Sequence, residues 1–187
     1  VMWNTVLISL YKIIIGFPFP IILALLMNEI GVRWFKKTMQ TVMYMPHFIS
    51  WIVVSSLVNT FFSSTSGVLA QITGQTIDWL VDPNDFRAVL VLSDIWKNAG
   101  WGTIVYMAAL SGINMDLYEA ASIEGANRLQ QTLYVTLPSI LPTILTMFIL
   151  RIGGIMDAGF EQILVMQNDS VYMVSEILGT YSYQRGY

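Results

Sequence analysis

Between Lys37 and Asp78 the sequence holds no charged residue. A run that long without Asp, Glu, Lys or Arg cannot coat a wet globular surface. Its first part, residues 38–62, reads as one membrane-spanning helix, which needs about 20 mostly apolar residues. Three more stretches read the same way: residues 3–27, 86–113 and 137–158. Charged residues are only 11% of the chain, against about 25% in a soluble domain. The expectation is an all-α, polytopic transmembrane helix bundle of about four spans, with residues 1–187 forming a single unit.

Composition also excludes. There are no cysteines, so disulfides, thiolate metal sites and cysteine nucleophiles are ruled out. His47 is the only histidine, which leaves no His-rich metal motif. The net charge of −3 and the lack of an extended basic cluster argue against nucleic acid. The chain begins at Val1 and ends in a polar, aromatic run at Tyr187. It reads as an internal piece of a longer protein.

The connections differ in character. Residues 28–37, "NEIGVRWFKK", read as a short basic loop, and residues 63–85 as a loop rich in Ser, Thr, Gly and Asp. Residues 160–187 read as a polar, aromatic tail. Loops 28–37 and 114–136 would share one side and carry Arg33, Lys36, Lys37 and Arg128. The other side holds Arg87 and Arg185 and collects Asp78, Asp82, Asp85, Glu161, Asp169 and Glu176. Lys/Arg-rich loops face the cytoplasm, so 114–136 is expected there. Pro18, Pro20, Pro46, Pro138 and Pro142 suggest kinked helices around a cavity, although membrane helices simply contain more proline than soluble ones.

Residues 116–142, "DLYEAASIEGANRLQQTLYVTLPSILP", interrupt the apolar chain. Asp116 followed three residues later by Glu119 resembles a capping box. Ala120 and Ala121 favour helix. Glu124 and Arg128 have the favourable i,i+4 order. Gly125 is poor inside a helix and marks either a bend or a close contact with another surface. The local reading is a short helix, a glycine bend, a second helix and entry into the membrane.

"EAASIEGANRLQQTLYVTLP" resembles the EAA loop of permease subunits in bacterial ATP-binding-cassette importers. Glu119, Ala120, Ala121, Gly125, Val135, Leu137 and Pro138 occupy the family's positions at the family's spacing. Glu124 stands where Asp is usual, Thr132 where Phe is frequent and Val135 where Ile is typical. The resemblance extends over most of the chain, through "NTVLISLYKIIIGFPFPIILALLMNEI", "MPHFISWIVVSSLVNTFF" and "TMFILRIGGIMDAGFEQILVM". Its style is closest to maltose-type sugar permeases, in the branch for oligosaccharides and polysaccharide fragments. It implies a further span before Val1 and one after Tyr187.

The resemblance implies a multi-pass protein of the bacterial cytoplasmic membrane. It would work with cytoplasmic ATPase subunits, a second and different permease subunit, and an extracytoplasmic solute-binding lipoprotein. The loop would be the cytoplasmic coupling helix that docks in the ATPase. Glu119 would face a basic group there or cap its own helix. Ala120 and Ala121 would keep one face thin, Gly125 would permit the bend, and Leu137 and Pro138 would anchor the loop. ATP and Mg would bind the partner. This chain would carry no catalytic, cofactor or metal site, and it has no phosphate-binding G-x-x-x-x-G-K-[ST] loop.

Ionisable residues at membrane depth are costly and tend to face a cavity or each other. Lys12, Asp94, Lys97, Arg151 and Asp157 qualify. Asp94 and Lys97, spaced i,i+3, could pair on one helix. Lys12, Asp94 and Asp157 are expected near helix ends, with their heads reaching water. Arg151, about 15 Å along the last span, is the expected cavity-facing charge. Trp96, Asn98, Trp101, Tyr106 and Met107 could stack on and hydrogen-bond a sugar, or be ordinary packing. Asn98, Trp101 and Arg151 are therefore the candidate translocation path. The rivals are a permease for a non-sugar solute, a secondary transporter, an intramembrane enzyme and a membrane scaffold. A secondary transporter would show paired repeats, and none is evident. An enzyme would need a constellation that one histidine and no G-x-S-x-G cannot supply.

Overall fold

Two prolines stand inside the first helix, yet it does not break. In the computed structural model, which describes residues 1–63, 67–74 and 78–186, helix α1 (Met2–Glu29) is continuous. Pro18 and Pro20 cannot donate to the carbonyls one turn back. The ladder adjusts just upstream, in a π-turn over Lys12–Gly16. The last long helix repeats the device. Helix α7 (Arg128–Gly153) has a π-turn over Thr132–Thr136 immediately before Pro138.

The expected single span at 38–62 is instead two helices. Helix α2 (Arg33–Phe48) and helix α3 (Trp51–Phe62) meet at 103°. Pro46 tightens the end of α2 into a 3-10 turn. Ser50 then starts α3, accepting a hydrogen bond from the Val53 amide as N-cap. Apolar length alone does not reveal a corner, because both arms are equally apolar. Arg33, Lys36 and Lys37, expected in a loop, lie inside α2.

Helix α4 (Val68–Thr73) is a short turn of helix within the expected loop 63–85; residues 64–66 and 75–77 of that loop lie outside the described residues. Helix α5 (Pro83–Ser111), with 29 residues, is about 43 Å long. Asp82 caps it through the Asn84 amide. It has the length to cross a membrane, but α1 and α7 are the two single helices that also have the apolarity. Asp94, Lys97 and Asn98 make its middle polar. It is nevertheless the central helix, with Phe86, Leu90 and Tyr106 almost fully buried. Its polar groups point inward, while Trp3, Ile14, Ile52, Ile149 and Leu150 on other helices face outward. At Gly100 a Cβ would run into the Met43 carbonyl, so α2 crosses α5 backbone to backbone where only glycine fits.

Helix α6 (Met115–Ile123) and then α7 follow. Residues expected as a polar tail form helices α8 (Phe160–Met166), α9 (Tyr172–Ser175) and α10 (Leu178–Arg185). These close one end of the bundle. Asn4 of α1 donates to the Met173 carbonyl at 2.8 Å. Arg87 donates to Asn4 at 3.0 Å, and Thr5 accepts from the Leu178 amide at 3.0 Å. At the opposite end Arg128 lies 4.0 Å from Glu29, so loops 30–32 and 112–127 share that end. The described residues are helical throughout their regular structure, and the family-like bundle expected from the sequence is present.

Candidate functional site

The loop between α5 and α7 begins with a cap different from the one expected. Asn114, not Asp116, is the N-cap of α6, its side chain accepting from the Asp116 amide at 3.0 Å. Asp116 sits in the first turn, where its charge suits the helix dipole. Glu119 caps nothing. It is exposed and makes no hydrogen bond or ion pair among the described residues. A true capping box forms further on, between Asn127 and Gln130 at the start of α7. Glu124 and Arg128 do not share a helix, because α6 ends at Ile123 and α7 begins at Arg128.

That ending explains Gly125. The Ala126 amide donates to the Ala121 carbonyl at 2.9 Å, and the Gly125 amide to Ser122 at 3.1 Å. This pair of bonds is a Schellman stop, which requires a left-handed residue between helix end and exit. Gly125 supplies it at φ +83°. A Cβ there would meet nothing among the described residues, so the bend, not a close approach to them, fixes glycine. Helix α6 buries no residue, and Ile123 is 88% exposed. Ala120 is exposed and Ala121 half-buried. Leu137 packs on the cluster of Ala24, Tyr106, Leu110 and Ile140. Pro138 is exposed at the first turn after the π-turn. The result is a bare helix held out from one end of the bundle by a tight stop and an apolar foot.

The second polar feature lies inside. Asp94 of α5 does not pair with Lys97. It accepts from Arg151 of α7 at 3.3 Å and from Asn98 at 3.0 Å, and the ammonium of Lys12 on α1 is 3.9 Å away. Three helices thus meet at one carboxylate. Lys12 is not reaching for water. It is 4% exposed and donates to the Ala158 carbonyl and to Gln162. Gln162, fully buried, donates to the Leu90 carbonyl at 2.7 Å and to Ser93 at 2.8 Å. Asp94 is likewise buried. Asp157 is exposed beside them. The head of Arg151 is open, its side chain 45% exposed.

Two adjoining clefts, about 310 and 350 Å³, share Asp94, Asn98 and Arg151 on their walls. Lys12 and Asp157 line the first, and Trp101, His47 and Tyr106 the second. Trp101 stacks on His47 with centroids 4.6 Å apart and planes 2° from parallel. The His47 Nδ1 is 3.1 Å from the Asn98 side-chain oxygen. Asn98, Trp101 and Arg151 are thus brought to one cavity. Trp96 is elsewhere, half-exposed on an apolar groove with Leu57 and Phe61. Met107 packs in the Tyr106–Leu110 cluster. Lys12, Gln162 and His47 carry as much of the site as the expected residues. Gln162 has no sequence signal at all, since its partners are 69, 72 and 150 residues away.

Lys97 has a separate task. Its ammonium donates to the His47 carbonyl at 2.7 Å and to those of Pro46 and Ile49. These are the carbonyls at the corner between α2 and α3, where the chain cannot continue the helical ladder. The Pro46 carbonyl also accepts from the Ile49 amide, but for those of His47 and Ile49 Lys97 replaces the missing donor, and it places positive charge at the negative end of α2. It also lies over the Trp51 ring at 5.5 Å. Lys97→Met is expected to leave the His47 and Ile49 carbonyls short of donors. The loss should be about 2–3 kcal/mol, the scale of hydrogen bonds to a charged group. Thermal unfolding in detergent measures it, and an unchanged midpoint would show that the corner holds without the ammonium.

An all-helical membrane bundle with a bare, glycine-stopped helix at one end and a charged cleft at its centre defines a membrane-transport component. The chain belongs to the family described as "Binding-protein-dependent transport system inner membrane component", whose model matches residues 16–186. It is 41% identical over 187 residues to protein LplB of Bacillus subtilis (strain 168), covering 98% of this chain and 59% of that one. It is 40% identical to the polygalacturonan/rhamnogalacturonan transport system permease protein YteP of the same organism, covering 98% of this chain and 58% of that one. A solved bacterial ABC transporter involved in the import of the acidic polysaccharide alginate superposes with TM-score 0.95 at 39% identity, over 99% of this chain and 66% of that one. The chain therefore spans less than two thirds of the length of these relatives.

Proposed function

We propose that this chain is the core of a permease subunit in an ABC importer for oligosaccharides that carry acidic sugar units. Residues 1–187 act as one transmembrane unit of the bacterial cytoplasmic membrane. The half-exposed Arg151 in the central cleft carries this reading. Its guanidinium has five donors in a planar fork suited to carboxylates. One of them is on Asp94. The remainder can meet a sugar carboxylate, while the Trp101 wall and Asn98 offer stacking and a neutral polar contact. The names of the polygalacturonan and alginate relatives support the same chemistry.

Helix α6 is the coupling element, with Glu119 presented outward to an ATPase subunit. ATP and Mg bind that partner, which does the hydrolysis. A second permease subunit, different from this one, completes the path, and an extracytoplasmic binding protein delivers the sugar.

The test uses the full-length protein in its native membrane, wild type beside Arg151→Gln. Both should bring down an ABC ATPase in detergent. Uptake of an oligouronate should fall roughly ten-fold or more in the variant, the scale of a lost charge-assisted hydrogen bond. Uptake of a neutral oligosaccharide, where the system accepts one, should fall less. Unchanged oligouronate uptake would remove Arg151 from the path, and absence of an ATPase with wild type would remove the importer reading.

A further inference from the structure

Helix α6 touches the rest of the chain through few polar contacts, and they converge on one place. The Tyr118 hydroxyl lies 2.9 Å from the Thr136 hydroxyl. Thr136 is buried and closes the π-turn of α7. Its hydroxyl also donates to the Gln131 carbonyl at 3.3 Å. Gln131 in turn donates to Ser122 at 3.0 Å and to the Ala126 carbonyl at 3.1 Å. Four side chains thus tie the body and the stop of α6 to the first turns of α7.

The place is mechanically particular. Pro138 has no amide proton, and the Leu137 amide reaches back five residues to Thr132. The helical ladder of α7 is therefore at its loosest where Tyr118 holds it. Such π-turns are frequent at functional sites. Above it the helix runs to Arg151, 15 residues on and about 22 Å away, where it contacts Asp94. One element then joins the bare helix at one end of the bundle to the cleft at its centre.

We infer that the Tyr118–Thr136 hydrogen bond is the positioning contact through which movement of α6 is passed to α7 and hence to Arg151. Tyr118 lies beside the family motif, not in its matching positions, and Thr136 occupies a position where the motif accepts any residue. The inference rests on the proposed docking of α6 in an ATPase. Without the bond α6 still docks, but the π-turn absorbs its displacement and α7 stays behind.

The experiment reconstitutes the complete transporter in liposomes with its binding protein and counts ATP hydrolysed per sugar imported. Tyr118→Phe and Thr136→Val each remove the bond at almost constant volume. Each should raise the ATP-to-sugar ratio roughly five-fold, the scale of one neutral hydrogen bond. The double variant should be no worse than either single one, and Thr136→Ser should restore the wild-type ratio. The ATPase should co-purify with every variant. An unchanged ratio, or hydrolysis and import falling in proportion, would overturn the positioning role while leaving the docking intact. A wild-type complex without ATPase would overturn both.

Discussion

Asp94→Leu should be the most damaging single change in the interior, costing about 3–5 kcal/mol. Asp94 is the one acid in contact with both Lys12 and Arg151 among the described residues. Arg151 can turn to the open cleft if its partner is lost. Lys12 cannot, because it is 4% exposed and closed in by Ala158, Gly159 and Gln162. An ammonium buried without a counter-charge is expensive, and this accounts for most of the expected loss. Paired removal should therefore be milder than single removal. Lys12→Met with Asp94→Leu should recover much of the stability, since replacing both partners of a buried pair by apolar groups is often neutral. Thermal unfolding of the purified protein in detergent compares the three. Equal losses in the single and double variants would mean that Asp94 matters to Arg151 and Asn98 and not to Lys12.

The same cluster shows where the sequence stopped being legible. Spacing rules pair neighbours on a helix, and by them Asp94 and Lys97 looked like partners. Both found better ones at long range. Asp94 is held from residues 12 and 151, and Lys97 from the α2–α3 corner. A buried charge takes whichever partner packing brings within reach, and packing is not local. Lys12 was expected near a helix end, with its head reaching water. The bundle end above it is covered by Ile155, from the expected last span, and by residues 173–178 of what read as a polar tail. Nothing in a tail of Gly, Asp, Gln and Tyr says that it folds back over the first helix.

The corner at Ile49–Ser50 was half legible. Pro46 and a serine before an apolar run are a stop and a start signal. Pro46 was read only as a kink, and the lack of charge from Lys37 to Asp78 made one span of the segment; that lack describes solubility and not direction. The α6 segment was more legible because its rules are local. A glycine stop and a helix before it were expected from "EAASIEGAN", and both are there. The cap was misplaced by two residues: Asn114 accepts from the Asp116 amide, which puts Asp116 inside the first turn instead of before it.

Gly125 was left with two explanations, a bend or a close contact, and a pair of substitutions separates them. Gly125→Val should abolish sugar uptake while the protein still inserts in the membrane at the wild-type level. A β-branched residue at φ +83° is strained by about 1–2 kcal/mol or more. The Schellman stop would open, and α6 would run on or fray and lose its angle to α7. Gly125→Asn should keep the stop, because Asn visits the left-handed region readily. Among the described residues no atom lies near the position a Cβ would take, so Asn meets no clash with them. Substantial uptake by Gly125→Asn with none by Gly125→Val would make the bend the whole reason for glycine. Loss in both would place a partner surface against Gly125, close enough to exclude any side chain, and would locate the ATPase at that point. Normal uptake in Gly125→Val would remove the stop from the coupling mechanism.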